Sequence, residues 1–309
     1  MKDKIPFRIR PMLATLIREP FNREGWIYEE KYDGYRIVAY KEGDKVQLLS
    51  RNSIDRTERF SPVATAIRKL PSRTLLLDGE VVVFDRKRVS RFQLLQQGKS
   101  EFVYAVFDCL YKDGKSFIRE PLSSRRPVME AAIAPDSSRA LMPSGILAAD
   151  GLQAYRVAKR KGFEGLVAKD LASPYVEGRS NKWLKVKVHQ EDEFVIVGFT
   201  KPEGSREHFG ALLLGAYDKG KLRYVGKVGT GFNQETLSSL YRKFLALTRK
   251  ESDLVDPPRA KDVTYLSPRL VAQIAYQELT EDNKLRQPVF LGLRDDKSAR
   301  EVSLPKSSQ

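Results

Sequence analysis

The chain has 309 residues, 41% hydrophobic and 31% charged, a balance that fits a folded globular protein of two unequal lobes and excludes a long disordered or low-complexity chain. A single cysteine, Cys109, excludes an intramolecular disulfide, and two distant histidines, His189 and His208, exclude a Cys/His zinc centre, so any metal must be held by oxygen. The charge of +15 is unevenly spread. Residues 1–188 hold 36 Lys and Arg against 23 Asp and Glu, a net of +13, and residues 189–309 hold 19 against 17, a net of +2. A basic first lobe suits either a polyanion partner or a solvated surface, and charge alone does not choose between them.

No apolar run reaches the roughly 18 residues of a membrane span, and the opening MKDKIPFRIRPM lacks a signal-peptide core, which predicts a cytoplasmic protein. Residues 26–31, 74–84 and 102–110, rich in β-branched and aromatic residues, read as strands. Residues 61–70 and 152–161 carry helical spacing, the second closing on Gly162. After Trp183 the texture becomes that of a small barrel, with short strands at 194–199, 211–217 and 221–228. One helix interrupts it, capped by Asn233 and burying Leu237, Leu240, Tyr241, Phe244 and Leu245. Residues 270–279 fit helix and strand equally, and the charged stretch 189–193 marks a boundary between two domains.

Lys31-Tyr32-Asp33-Gly34 closes a predicted strand, with Arg36 two residues beyond. Alone this tetrapeptide says little, because most lysines beside an aspartate are solvated surface pairs. Arg51-Asn52, Asp78-Gly79-Glu80, Phe107-Asp108, Glu164-Gly165-Leu166-Val167-Ala168-Lys169 and Trp183-Leu184-Lys185-Val186-Lys187 follow in order, most in or beside strand-like runs that could line one cleft. Lys185 and Lys187, two apart on a strand, point to one face. In this order, and with Pro11 to Thr15 at the start and Arg286 to Lys297 at the end, the motifs resemble those of the covalent nucleotidyltransferases. The resemblance is stronger still to the ATP-dependent DNA ligases, particularly the ligase domain of the bacterial end-joining ligase D. One departure is Ser53, where the family usually carries glycine, which leaves the shape of that loop open.

The resemblance implies an α+β chain, with an adenylation domain of antiparallel sheets over residues 1–188 and an OB-fold barrel over 189–309. It implies ATP as cosubstrate, Lys31 as the residue that carries AMP, and magnesium or manganese on Glu80 and Glu164. Glu29 is implied to contact the adenine amino group, Arg51 and Glu80 the ribose and its surroundings, and Phe107 to stack on adenine. Lys185 and Lys187 would grip the α-phosphate, Arg36 the 5′-phosphate of a nick, and Arg294 and Lys297 the departing pyrophosphate. Those last two residues lie in the other lobe, which implies domain movement about a hinge near 188–192. A lysine with a pKa of about 10.4 is almost wholly protonated at neutral pH, so the cations Arg36, Lys185, Lys187 and the metal are expected to depress it, a matter of roughly 4 kcal/mol.

The implied partners are nicked duplex DNA and, by analogy with end joining, a Ku-type end-binding protein and a repair polymerase. The setting is the bacterial nucleoid, in repair or replication, with the chain acting as a monomer and as a minimal ligase or an excised ligase domain. An RNA ligase or a GTP-using capping enzyme is the nearest alternative. A non-catalytic nucleic-acid binder with a degenerate ligase fold is a further one, opposed by the intact Lys31, Glu80, Glu164, Lys185 and Lys187.

Overall fold

The structure, a computed structural model, describes residues 5–96, 101–188, 190–202, 204, 207–258 and 262–305, so His189 lies outside the described residues. The chain divides into two compact units, Met1–His189 and Gln190–Gln309. In chain order the first forms β1 (Met12–Leu16), β2 (Trp26–Glu30), β3 (Tyr35–Glu42), β4 (Lys45–Ser50), α1 (Ser61–Lys69), β5 (Thr74–Val82), α2 (Phe92–Gln96) and β6 (Val103–Lys112). It continues with β7 (Lys115–Ser116), α3 (Leu122–Ile133), β8 (Leu141–Pro143), β9 (Ile146–Ala148), α4 (Gly151–Lys161), β10 (Gly165–Asp170) and β11 (Gly178–Lys187). Two sheets result, ordered β1-β11-β10-β2-β9 and β4-β3-β5-β6-β7, with β8 beside β6. The expected antiparallel pairing holds for most neighbours. Parallel pairs join β1 to β11 and β6 to β8, partners too distant in sequence for a hairpin to set their direction.

Alternation along each strand sorts the side chains into layers. On the second sheet Ile37, Ala39, Leu75, Leu77 and Val81 turn outward into a core covered by Val63 and Ile67 of α1 and Met129 and Ile133 of α3. Val38, Tyr40, Leu76 and Phe107 turn inward and pack with Met12 and Trp183 from the first sheet and with Tyr175 from the segment between β10 and β11. The outer face of the first sheet buries Tyr28, Leu166, Ala168 and Val186 against Ala154 of α4. That helix begins where Asp150 Oδ1 accepts a hydrogen bond from the Gln153 amide at 2.7 Å and ends at Gly162 in the left-handed region, φ 73°. The first unit is therefore a pair of facing sheets with helices outside, and its polar motifs fall between the sheets.

The second unit comprises β12 (Glu191–Thr200), β13 (Leu212–Asp218), β14 (Lys221–Val228), α5 (Gln234–Leu245), β15 (Thr248–Arg249), β16 (Val263–Ala275), β17 (Glu278–Leu279), β18 (Leu285–Arg286) and β19 (Val289–Leu293). Its main sheet runs β14-β13-β12-β16-β15, with β19 on β16. The sheet curls around Phe194, Ile196, Leu212, Leu214, Val271 and Phe290, helped by a register shift between Ile196 and Gly198. α5 is capped by Asn233, which accepts from the Thr236 amide at 2.7 Å, and it buries Leu237, Leu240 and Phe244. Of the five apolar residues expected on one face, Tyr241 is partly buried and Leu245 is exposed. The ambiguous stretch is extended as far as Ala275, because β12 and β19 flank it and Val271, Ala272, Gln273 and Ile274 are all buried, which erases alternation. Glu191 to Glu193 of the charged boundary stretch already belong to β12. Among the described residues no helix is long and apolar enough to cross a membrane.

Candidate active site

Pairing register places the motifs in rows across the first sheet. Glu29 stands opposite Val167, which stands opposite Lys185; Ile27 opposes Lys169, which opposes Trp183; and Gly165, which accepts the Lys31 amide at 3.1 Å, opposes Lys187. Residues directly opposite share a face. Glu29, Lys31, Lys169, Trp183, Lys185 and Lys187 therefore share the inner face. On the second sheet Arg36 opposes Glu80 and Val38 opposes Asp78, so Arg36, Asp78 and Glu80 share the inner face there with Val38 and Tyr40. Two glycines permit the close approach: a Cβ at Gly34 would lie 2.2 Å from the Val81 oxygen, and one at Gly165 would lie 2.1 Å from the Val186 oxygen.

Lys31 follows directly on β2, with its Nζ 2.5 Å from Glu164 Oε1 and the two side chains 18% and 10% exposed. Burial pulls the lysine pKa down, but the Glu164 carboxylate beside it, with Asp33 and Glu80 farther off, outweighs burial and leaves the pKa raised. This corrects the expectation that neighbouring cations depress it. The sequence has the cations, but carboxylates are the charges that dominate around Nζ.

Deeper in, Asp78 is fully buried and takes Arg36 in a bidentate pair, Nε to Oδ1 at 2.6 Å and Nη2 to Oδ2 at 2.7 Å, while Tyr175 donates its hydroxyl to Oδ2 at 2.6 Å. Arg36 also donates to the Met12 carbonyl at 3.1 Å. Glu29 is equally engaged. Arg126 Nη1 donates to its Oε1 at 2.7 Å, and Ser144 Oγ at 2.5 Å and Lys169 Nζ at 2.6 Å donate to its Oε2. Phe107, almost wholly buried, has the Arg36 guanidinium 4.4 Å and the Lys169 ammonium 4.3 Å from its ring centroid, and it meets Trp183 edge-on. Below it Asp108 and Arg125 form a bidentate pair with both side chains fully buried. Arg51 lies outside the sheet rows, half-buried in the turn after β4.

In the second unit Arg294 forms a bidentate pair with Asp296, both bonds 2.9 Å, and donates to Gln273 Oε1 at 3.2 Å. Lys297 Nζ lies 3.4 Å from Glu193 Oε1. The structure thus gathers Glu29, Lys31, Arg36, Glu80, Phe107, Glu164, Lys185 and Lys187 in the first unit, and Arg294 with Lys297 in the second.

Residues 11–187 match the family described as ATP dependent DNA ligase domain, and residues 205–297 match its C terminal region. The chain belongs to the ATP-dependent DNA ligases. It is 39% identical over 98% of its length to the multifunctional non-homologous end joining protein LigD of Pseudomonas aeruginosa, and 36% identical over 97% to that of Mycolicibacterium smegmatis. It spans 37% and 40% of those two relatives, about two fifths of their length. Among solved structures it matches a mycobacterial DNA ligase D complexed with ATP and MES, at 33% identity and TM-score 0.73, over 97% of this chain and 100% of that one. The α+β architecture is therefore that of a ligase adenylation domain followed by an OB-fold.

Several residues of this candidate site are not singled out by sequence alone. Asp78, Lys169 and Trp183 sit inside the motifs, and their spacing from Glu80, from the strand beside Glu29 and from Lys185 is enough to place them on the inner face. Arg126, Ser144, Tyr175 and Glu193 carry no local signal, since each meets its partner from a distant element. The open question at Ser53 is answered: it adopts φ 59°, the left-handed conformation that glycine takes without strain, and its amide closes the turn on the Ser50 carbonyl at 2.8 Å.

Proposed function

We propose that this ligase seals nicks through an adenylate on Lys31, a reading supported by one observation: Lys31 Nζ lies 2.5 Å from Glu164 Oε1 on the inner face that Lys185 and Lys187 share, while Arg36 and Glu80 share the inner face of the other sheet. Lys31 releases its ammonium proton, Nζ then forms a bond to the α-phosphorus of ATP, and the bond to pyrophosphate breaks. AMP then passes to the 5′-phosphate of a nick, and the 3′-hydroxyl displaces AMP to close the phosphodiester. Lys185 and Lys187 supply positive charge to the α-phosphate, and Arg36 meets the 5′-phosphate. Glu29 has already accepted three bonds, so it addresses the adenine amino group through what remains of Oε1, with Phe107 as the ring platform and Arg51 toward the ribose. Arg294 and Lys297 orient pyrophosphate as it departs.

Glu80 and Glu164 suit magnesium or manganese, which prefers one or two carboxylates together with phosphate oxygens. Bound there, the ion would supply charge that offsets the triphosphate and competes with Lys31 for the Glu164 carboxylate. Residues 1–188 serve as the adenylation domain and 189–309 as the OB-fold domain, hinged near 188–192. The likeness to multifunctional end-joining proteins supports double-strand-break repair at the nucleoid, with a Ku-type protein and a polymerase as partners and this chain acting as a monomer.

Incubation with α-labelled ATP followed by denaturing electrophoresis tests the proposal. The wild type retains label, GTP does not compete, and Lys31→Ala takes no label while still binding nicked DNA. Label on the alanine variant would refute the nucleophile assignment.

A further inference from the structure

A cluster of exposed cations outside the candidate site joins two parts of the first unit. After β5 the chain makes a tight turn bridged from Phe84 to Ser90. Asp85 Oδ1 organises it, accepting the Lys87 amide at 2.8 Å and the Val89 amide at 3.0 Å. Arg86, Lys87 and Arg88 stand exposed at its tip. Arg88 holds φ 61°, a left-handed conformation that favours glycine over residues with a side chain, and its guanidinium lies 4.6 Å from the Phe84 ring centroid. A position suited to glycine thus carries a third consecutive cation.

Val89 packs with Ala158 and Phe163, which sets this turn against the C-terminal end of α4, where Lys159, Arg160 and Lys161 are also exposed. The macrodipole of α4 accounts for cations in its last turn but not for those across from it. Two acidic groups face the patch, and six exposed cations outnumber them. Asp85 is tied into the turn and to Arg91 at 3.3 Å, and burial pushes the Glu30 carboxyl up to about 8 despite Lys161 and Arg88 nearby. The patch also borders the cleft. Asp33 donates its amide to Ser90 Oγ at 3.0 Å and accepts the Phe92 amide at 3.0 Å, and Glu164 lies three residues beyond Lys161.

A duplex whose nick sits at Lys31 must extend past the cleft, and one helical turn alone covers about 34 Å. We propose that the 85–91 turn and the last turn of α4 form a second phosphate-binding surface that grips duplex DNA beyond the nick, apart from the residues that handle the nucleotide. This rests on the DNA-sealing function proposed for the cleft.

Two variants test it: Arg86→Gln/Lys87→Gln/Arg88→Gly, which removes charge while relieving the backbone at position 88, and Lys159→Gln/Lys161→Gln. Both are expected to label with α-labelled ATP at the wild-type rate and to keep the wild-type melting temperature or exceed it. Affinity for a nicked duplex at about 0.1 M salt should drop at least roughly 10-fold for each, and the slope of log affinity against log salt should flatten by about 1 for every phosphate no longer gripped. Wild-type affinity and slope in variants that label normally would overturn the inference. A wild-type protein that labels but does not bind nicked duplex would overturn the DNA-sealing function beneath it as well.

Discussion

The two units handle their signature cations alike. In the first, Arg36 is fixed by two bonds to buried Asp78 and Lys169 is buried against Glu29, while Lys31 meets Glu164 through one ammonium contact at a partly open position. In the second, Arg294 is fixed by two bonds to Asp296, while Lys297 stands 3.4 Å from a Glu193 side chain that is 35% exposed. The difference follows from burial, which fixes Lys169 with both side chains 2% exposed, and from the groups. A guanidinium forks onto a carboxylate and holds its geometry, whereas an ammonium is a point charge on a flexible stem that can change partners. Each unit therefore pairs a rigidly held cation with one whose ammonium can change partners.

The largest effect that could break this comparison lies in the fixed set. Lys169→Met leaves Glu29 buried with one cation fewer and should cost about 3–5 kcal/mol in urea unfolding of the first unit. A loss below about 1 kcal/mol would show that the pair anchors nothing. The exchangeable set predicts the opposite balance: Lys297→Ala should barely alter stability yet slow self-adenylylation by about 100-fold, sparing the sealing of pre-adenylylated nicks. Equal slowing of both steps would remove its role with pyrophosphate.

Acids sharpen the contrast through pH. Arg294 holds the Asp296 carboxyl below its ordinary value against the pull of burial, so its contribution is present above that ordinary value and is lost as pH falls through the lowered one. Glu30 is the reverse case. Its Oε1 is buried with no hydrogen-bond partner, and burial raises its pKa from 4.5 to about 8. Folding therefore takes up a proton between those values, and stability declines with rising pH across that window. Glu30→Gln should raise stability by about 1–3 kcal/mol at pH 8 and by nothing near pH 4, read by thermal melts at both. Smallest of all, Ser53→Gly should stabilise by roughly 1 kcal/mol and leave ligation rates unchanged; a lower melting temperature would mean the serine side chain supports the loop.

Much of the cleft is legible in the sequence, because β-strands repeat every two residues. Lys185 and Lys187 have to share a face, and so do Glu29 and Lys31. The caps Asn233 and Gly162 are equally readable, since a cap is a local hydrogen-bonding pattern. Residues 270–279 are not, because a strand flanked on both sides buries consecutive residues and loses its alternation. The protonation preference of Lys31 is hidden for a related reason: a sequence shows which charges exist, not which of them lies nearest to Nζ.

Taken alone, the amino-acid order determined the two-part plan and the basic first half, which depend on local texture and composition, and it carried the motifs whose resemblance pointed to the family. Tertiary structure decided which partner each charge takes. Glu29 meets Lys169, Arg126 and Ser144, and Lys31 meets Glu164, only because sheet register and packing bring distant segments together, and Coulomb energy depends on that separation rather than on position along the chain.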